Sequence, residues 1–316
     1  MNIAIIGCGN IGTKRAHALS SFPEDKIVEI VETDRSRWPT LEKTFKVPVS
    51  EDFQKIIESK NVDAVIISTP PWNHISLIRE CLKNNKDVLC EKPIGVYLGE
   101  VKEVTSLANT KKKILKCGFN LCHDLGLSRV KSLLEDGVIG APYFFKCTYV
   151  NGCVLVNTNR VGALMDMGSH ILDLVRWFLG DPKEFKGYLQ QAEFPLDDNG
   201  FLGFKINNII GQIHFSFIRW QNQFQLEISG EKGAIEVSNL PKWGRQEVKL
   251  HRRVYPAGTP EITIETFDQD KSWEREWITF RELVKERNLT LNNQALKVME
   301  LTDFIQRTIQ IERINL

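Results

Sequence analysis

Short apolar runs, the one at 3–6 without a charge to mark a solvent face, alternate with amphipathic stretches along the first third of the chain. Runs at 3–6, 27–32, 63–69, 87–90 and 114–119 are rich in Ile, Val and Leu. That pattern suits strands buried on both sides of a parallel sheet. The intervening pattern predicts helices over 13–22, 37–45, 52–59, 74–84 and 99–109, with a short extended segment at 47–49. Strand–helix alternation of this kind predicts a doubly wound parallel sheet. The character then changes. Helices are expected at 127–136 and 169–179, the latter placing Ile171, Leu174, Val175 and Phe178 on one face. Strands are expected at 143–150, 184–191, 200–206, 209–218, 223–229, 233–238 and 247–253, with Asn207-Asn208 as a hairpin turn. Consecutive strands without helices imply a largely antiparallel sheet. Helices near 270–287 and 292–311 close the chain.

The first strand stops at Gly7-Cys8-Gly9-Asn10-Ile11-Gly12, a G-x-G-x-x-G followed by a helix. In a dinucleotide site Gly7 permits the tight turn, Gly9 lets a pyrophosphate approach the backbone, and Gly12 lets helix and strand pack closely. Backbone N–H groups of the turn, including those of Asn10 and Ile11, and the helix dipole then hold the diphosphate. Glu32 follows Gly12 by 20 positions, where a carboxylate accepts hydrogen bonds from the adenosine ribose and repels a 2′-phosphate. NAD is the expected cofactor. NADP stays possible, because Thr33, Arg35 and Arg37 offer a phosphate contact. Ligands of open parallel sheets bind at the carboxyl ends of strands, which brings Thr69, Pro70, His74 and Glu91 into the expected cofactor set. The fold class is therefore α/β: an N-terminal Rossmann domain (1–118), then an α+β domain (119–316) with a large, mainly antiparallel open sheet.

The charge balance changes little: 41 basic against 40 acidic residues give a net charge of +1, no footprint for nucleic acid or an anionic membrane. Seven cysteines form no C-x-x-C pair, which predicts free thiols and no zinc site. No apolar run reaches the length of a membrane span and no secretory signal precedes the first strand, so a cytoplasmic protein is expected. Phe201, Phe204, Ile213, Phe215, Phe217 and Trp220 make the second sheet apolar, and a face needing cover predicts self-association as a homodimer or homotetramer.

Two further clusters carry chemistry. Glu91-Lys92-Pro93 ends the strand 87–90, and Asp166-x-Gly168-Ser169-His170-x-x-Asp173 opens the helix at 169–179. Asp166 and His170 share a helical face if the helix starts early enough. No further ligand completes a metal shell around Asp166, His170 and Asp173, so no metal is expected. With the glycine turn, the Ser68 to His74 turn and Gly118-Phe119-Asn120, these motifs resemble, over essentially the whole chain, the glucose–fructose oxidoreductase / inositol dehydrogenase (Gfo/Idh/MocA) family.

That resemblance implies nicotinamide-dependent hydride exchange with a secondary alcohol or ketone of a sugar, polyol or sugar derivative, possibly nucleotide-linked. Lys92, Asp166 and His170 match the family's catalytic residues. An NAD-dependent glycosidase working by transient oxidation, and a non-catalytic dinucleotide-binding regulator, are the rival readings. The chain departs from the family at Leu121-Cys122-His123, where an arginine is usual, and at Asn159-Arg160-Val161-Gly162, where a glycine run is usual. Asn120, Arg160 and Asp173 are the expected substrate contacts.

Overall fold

The computed structural model describes residues 1–152 and 161–314 and divides into two compact units. The first comprises Met1–Asn120 with Trp273–Glu300. Its sheet contains β1 (Asn2–Ile6), β2 (Lys26–Val31), β3 (Val49–Ser50), β4 (Ala64–Ile67), β5 (Asp87–Cys90) and β6 (Leu115–Cys117). All pairs are parallel, in the order β3-β2-β1-β4-β5-β6. The order reverses between β1 and β4, the crevice where such sheets bind ligands. Every residue of β4 and β5 is buried, as the unbroken apolar runs require. The helices are α1 (Asn10–Leu19), α2 (Trp38–Phe45), α3 (Phe53–Glu58), α4 (His74–Lys83) and α5 (Leu98–Lys111).

Where one boundary near residue 118 is expected, the chain passes between the units three times, after residues 120, 272 and 300. Helix α8 (Ser272–Glu286) returns to the first unit, and its Trp277, Phe280, Leu283 and Val284 join the core formed by Ile3, Ile5, Leu19, Ile30 and Leu89. The Trp277 indole N–H donates to Asp25 Oδ2 at 2.8 Å, which satisfies the ring's one polar group inside that core. Nothing local in the sequence marks a helix that completes a core more than 150 residues upstream.

The second unit comprises Leu121–Ser272 with Leu301–Leu316. Its nine strands are β7 (Pro142–Gly152), β8 (Lys183–Gln191), β9 (Asn199–Ile206), β10 (Ile209–Arg219), β11 (Gln223–Gly230), β12 (Gly233–Ser238), β13 (Gln246–Arg252), β14 (Glu261–Phe267) and β15 (Ile311–Arg313). They run in the order β14-β13-β12-β11-β7-β10-β9-β8-β15, antiparallel except where β10 meets β7 and β15 meets β8. The remaining helices are α6 (Leu125–Glu135), α7 (Ser169–Leu179) and α9 (Gln294–Thr308). α6 starts at an Asp124 cap, whose Oδ1 accepts from Leu127 N at 2.9 Å. Among the described residues no helix is long and apolar enough to cross a membrane.

The apolar face expected to need an external cover is narrower than its composition suggests. Phe204, Ile213, Phe215 and Phe217 are buried within the unit, while Phe201 and Trp220 are exposed. Alternation in a strand sends neighbours to opposite faces. Phe201 therefore points away from Phe204, toward Tyr188 and His214, its partners in cross-strand register.

Candidate active site

In the first unit the glycine turn sits at the switch point. Gly7 has φ +84°, and a Cβ there would lie 2.8 Å from the Thr69 methyl; a Cβ on Gly12 would lie 2.1 Å from the Gly7 carbonyl oxygen. Only glycine allows the three segments to close on one another. Gly9 is different, with nothing within 4 Å of where its Cβ would stand. It precedes α1, which has no side-chain cap. An open backbone approach at an uncapped helix N-terminus fits a diphosphate, so Gly7, Gly9, Asn10, Ile11 and Gly12 suit the expected cofactor end.

Glu32 is buried, and its two oxygens accept from the backbone N–H groups of Cys8 and Asp34, both at 2.9 Å. It thereby fixes the glycine turn, and each oxygen keeps a lone pair for a ribose hydroxyl. The two arginines expected as 2′-phosphate contacts have protein partners. Arg37 donates to the Cys8 carbonyl at 2.9 Å, and Arg35 forms a two-pronged pair with Glu51.

His74 and Glu91 turn toward protein. The His74 ring is fully buried, with Nδ1 2.9 Å from the Pro93 carbonyl oxygen and Nε2 2.7 Å from that of Thr69. It bridges the ends of β4 and β5, leaving neither ring nitrogen for a cofactor. Burial pushes this imidazole below its ordinary value, against the pull of the two carbonyls and of Glu91. Glu91 Oε1 accepts from Arg15 Nε at 2.5 Å. Arg15 also pairs with Glu276 of α8 at 3.0 Å, and Glu276 with the fully buried Lys116 at 2.9 Å. Burial alone would push the Arg15 guanidinium down, but Glu91 and Glu276 outweigh it and hold the group above its ordinary value. Glu91 is thus an anchor for the loop that carries Lys92, in place of the cofactor contact expected of it.

In the second unit the Asp-x-Gly-Ser-His segment opens with a π-helical turn, Leu164–Gly168, which runs directly into α7. The helical hydrogen bonding begins with Asp166 N on Gly162 O at 3.0 Å, early enough for Asp166 and His170 to lie one turn apart. The Ser169 hydroxyl donates back to the Asp166 carbonyl at 2.9 Å and does not cap the segment. Asp197 does the capping. Its Oδ2 accepts from Leu164 N and its carbonyl from Ala163 N, both at 2.7 Å. A Cβ on Gly162 would stand 1.8 Å from Asp197 Oδ1, so that carboxylate requires the glycine.

Sequence reasoning missed Asp197, because an acidic pair between two strands carries no signal that it caps a helix 33 residues upstream. His170 is buried and sets its ring edge-on to Tyr149, with centroids 5.8 Å apart. Asp173, one turn on, is buried and accepts from the Cys122 thiol at 2.9 Å. Cys122 thus stands in the segment where an arginine is usual and holds α7 in place. Arg160 lies outside the described residues. Among those described, no group of His, Cys, Asp and Glu is arranged to hold a metal.

Burial pushes the Asp197 carboxyl up from 3.8 to about 6, with Asp198 adding to the rise and the Leu164 N–H opposing it. The folded chain therefore holds this proton more tightly than the unfolded chain does. The residue's contribution to stability is greatest below about pH 4 and declines as the pH rises through about 6. In urea titrations, Asp197→Asn is expected to remove on the order of 2 kcal/mol of that decline between these limits. Parallel pH profiles for the two proteins would contradict the assignment.

The fold and these motifs agree with what is known of other proteins. Residues 1–119 match the model of an oxidoreductase family with an NAD-binding Rossmann fold, and residues 127–236 match the Gfo/Idh/MocA C-terminal domain. An inositol 2-dehydrogenase of Rubrobacter xylanophilus is 28% identical over 75% of this chain and 71% of its own. An uncharacterized oxidoreductase of Bacillus subtilis, YrbE, is 29% identical, and the match spans 56% of this chain and only 53% of that relative. Among solved structures, KijD10, a 3-ketoreductase from Actinomadura kijaniata in complex with NADP and TDP-benzene, superposes with a TM-score of 0.87 at 19% identity, covering 100% of this chain and 99% of that one. A levoglucosan dehydrogenase in complex with NADH superposes at 0.88 and 18%, covering 97% and 96%. Both halves of the chain match the same family, and the chain is a member of the Gfo/Idh/MocA oxidoreductases.

Proposed function

We propose that this chain is an NAD-dependent dehydrogenase or reductase that exchanges a hydride with a CH–OH group of a sugar, polyol or sugar derivative. What carries the reading is the buried, separately capped helical turn that presents Asp166 and His170, in a chain that also keeps an open glycine turn and an anchored Lys92 loop. Its inositol dehydrogenase relatives support the substrate class. The engagement of Arg35 and Arg37 by protein, with Glu32 beside the turn, favours NAD over NADP. Gly7, Gly9, Asn10, Ile11, Gly12, Glu32, Thr69 and Pro70 would line the cofactor, whose nicotinamide supplies the hydride acceptor.

The chain's own residues handle the proton and the charge. His170 takes the hydroxyl proton on an imidazole nitrogen, since its unperturbed pKa lies near neutrality. Asp166 orients the imidazole or the substrate. The Lys92 ammonium donates to the reacting oxygen and stabilises developing alkoxide. Asn120 and Arg160 contact the rest of the substrate. The free thiols among the described cysteines suit a reducing compartment such as the cytoplasm.

A panel of inositols, hexoses and nucleotide-sugars mixed with NAD+ tests this directly. Net accumulation of reduced cofactor is expected, faster with NAD+ than with NADP+, and lowered roughly a hundredfold or more in His170→Ala. Turnover without net reduction of added cofactor would instead mark a glycosidase, and unchanged His170→Ala turnover would remove the base assignment. Self-association is proposed through the exposed row of Tyr188 and Phe201. Sedimentation at micromolar concentration should show a dimer or larger species, and a monomer would exclude it.

A further inference from the structure

A lysine one aromatic ring away from the proposed base has its ammonium held by that ring's hydroxyl and, among the described residues, forms no ion pair. Lys242 lies in the short helical turn Pro241–Trp243 between β12 and β13. Its Nζ donates to the Tyr149 hydroxyl at 2.8 Å and lies 4.6 Å from the centroid of the Trp243 ring and 5.2 Å from that of Tyr149. Tyr149 is buried, with its ring edge-on to His170 and to Phe224, each at 5.8 Å between centroids. One aromatic side chain therefore separates the ammonium from the imidazole.

Ordinary surface lysines sample many rotamers in water. Two ring faces and a hydroxyl restrict this one. Among the described residues Lys242 forms no ion pair, although carboxylates neutralise lysines and arginines at many other places on this chain. A cation that is held in place, exposed and unneutralised next to a base has its counter-charge still to come. The half-buried Trp243 ring beside it offers an apolar face of the kind on which the C–H side of a sugar ring packs.

We propose that Lys242 binds an anionic substituent, a carboxylate or a phosphate, on the sugar that His170 deprotonates. The substrate class narrows from neutral polyols to sugar acids or sugar phosphates. This rests on the dehydrogenase reading above and goes beyond it, because hydride exchange alone calls for no anion site.

The test compares hexuronates and hexose phosphates with the matching neutral hexoses and inositols, using wild-type protein, Lys242→Gln and Lys242→Arg in the presence of NAD+. The wild type is expected to favour one anionic class in kcat/KM, and the better class identifies the group as carboxylate or phosphate. Lys242→Gln should lower the ratio of anionic to neutral kcat/KM by about 10- to 100-fold, the range of a charge-assisted hydrogen bond. Lys242→Arg should keep most of that ratio. A wild type that prefers neutral sugars, or a ratio unchanged in Lys242→Gln, overturns the proposal while leaving the dehydrogenase intact. If no sugar reduces the cofactor, the dehydrogenase reading fails first. Calorimetric titration of NADH-loaded protein with glucuronate and glucose 6-phosphate then decides: binding that Lys242→Gln abolishes supports the anion site, and no binding at millimolar concentration removes it.

Discussion

The Arg15 guanidinium, buried between the carboxylates of Glu91 and Glu276, is the contact on which the cofactor-binding unit depends. α1 carries the glycine turn at one end and Arg15 on its flank. Glu91 immediately precedes Lys92, and Glu276 comes from a helix supplied by the far end of the chain. Two cations and two anions, counting Lys116, balance the charge of the cluster. Removing one partner from such a cluster typically costs about 3–5 kcal/mol, because a buried charge is left uncompensated. The loop that carries Lys92 is therefore fixed to the helix that follows the glycine turn.

The same device recurs at the other candidate segments. His74 spans two strand-end carbonyls, Asp197 caps the turn that carries Asp166, and Cys122 holds Asp173. Asp198 accepts three successive backbone N–H groups, those of Ala192, Glu193 and Phe194, and so shapes the β8–β9 connection next to the Asp197 cap.

Much of this was legible in the sequence. Short, mostly apolar runs alternating with helical patterns identified the parallel strands, and the glycine spacing located the switch point. The sharp motif at 166–173 lay at a helix start, as expected. What stayed hidden depends on long-range partners. Position alone placed Glu91 and His74 at the ligand edge of the sheet, but whether a side chain there turns outward or inward depends on Arg15, Pro93 and Thr69. Strand parity put Ile213, Phe215 and Phe217 on one face without saying which face the helices cover. β14 escaped notice because six of its seven residues are exposed, and β15 because a three-residue strand leaves no periodic trace.

One substitution tests the anchoring role of Glu91. Glu91→Gln keeps the shape of the side chain and weakens its hold on Arg15, so NADH affinity and turnover can be measured on the same folded protein. Turnover should fall by about ten- to a hundredfold, the effect of a reactive group displaced by an ångström, while the NADH dissociation constant changes little. Loss of NADH binding with full turnover at saturating cofactor would show that the carboxylate serves the dinucleotide after all.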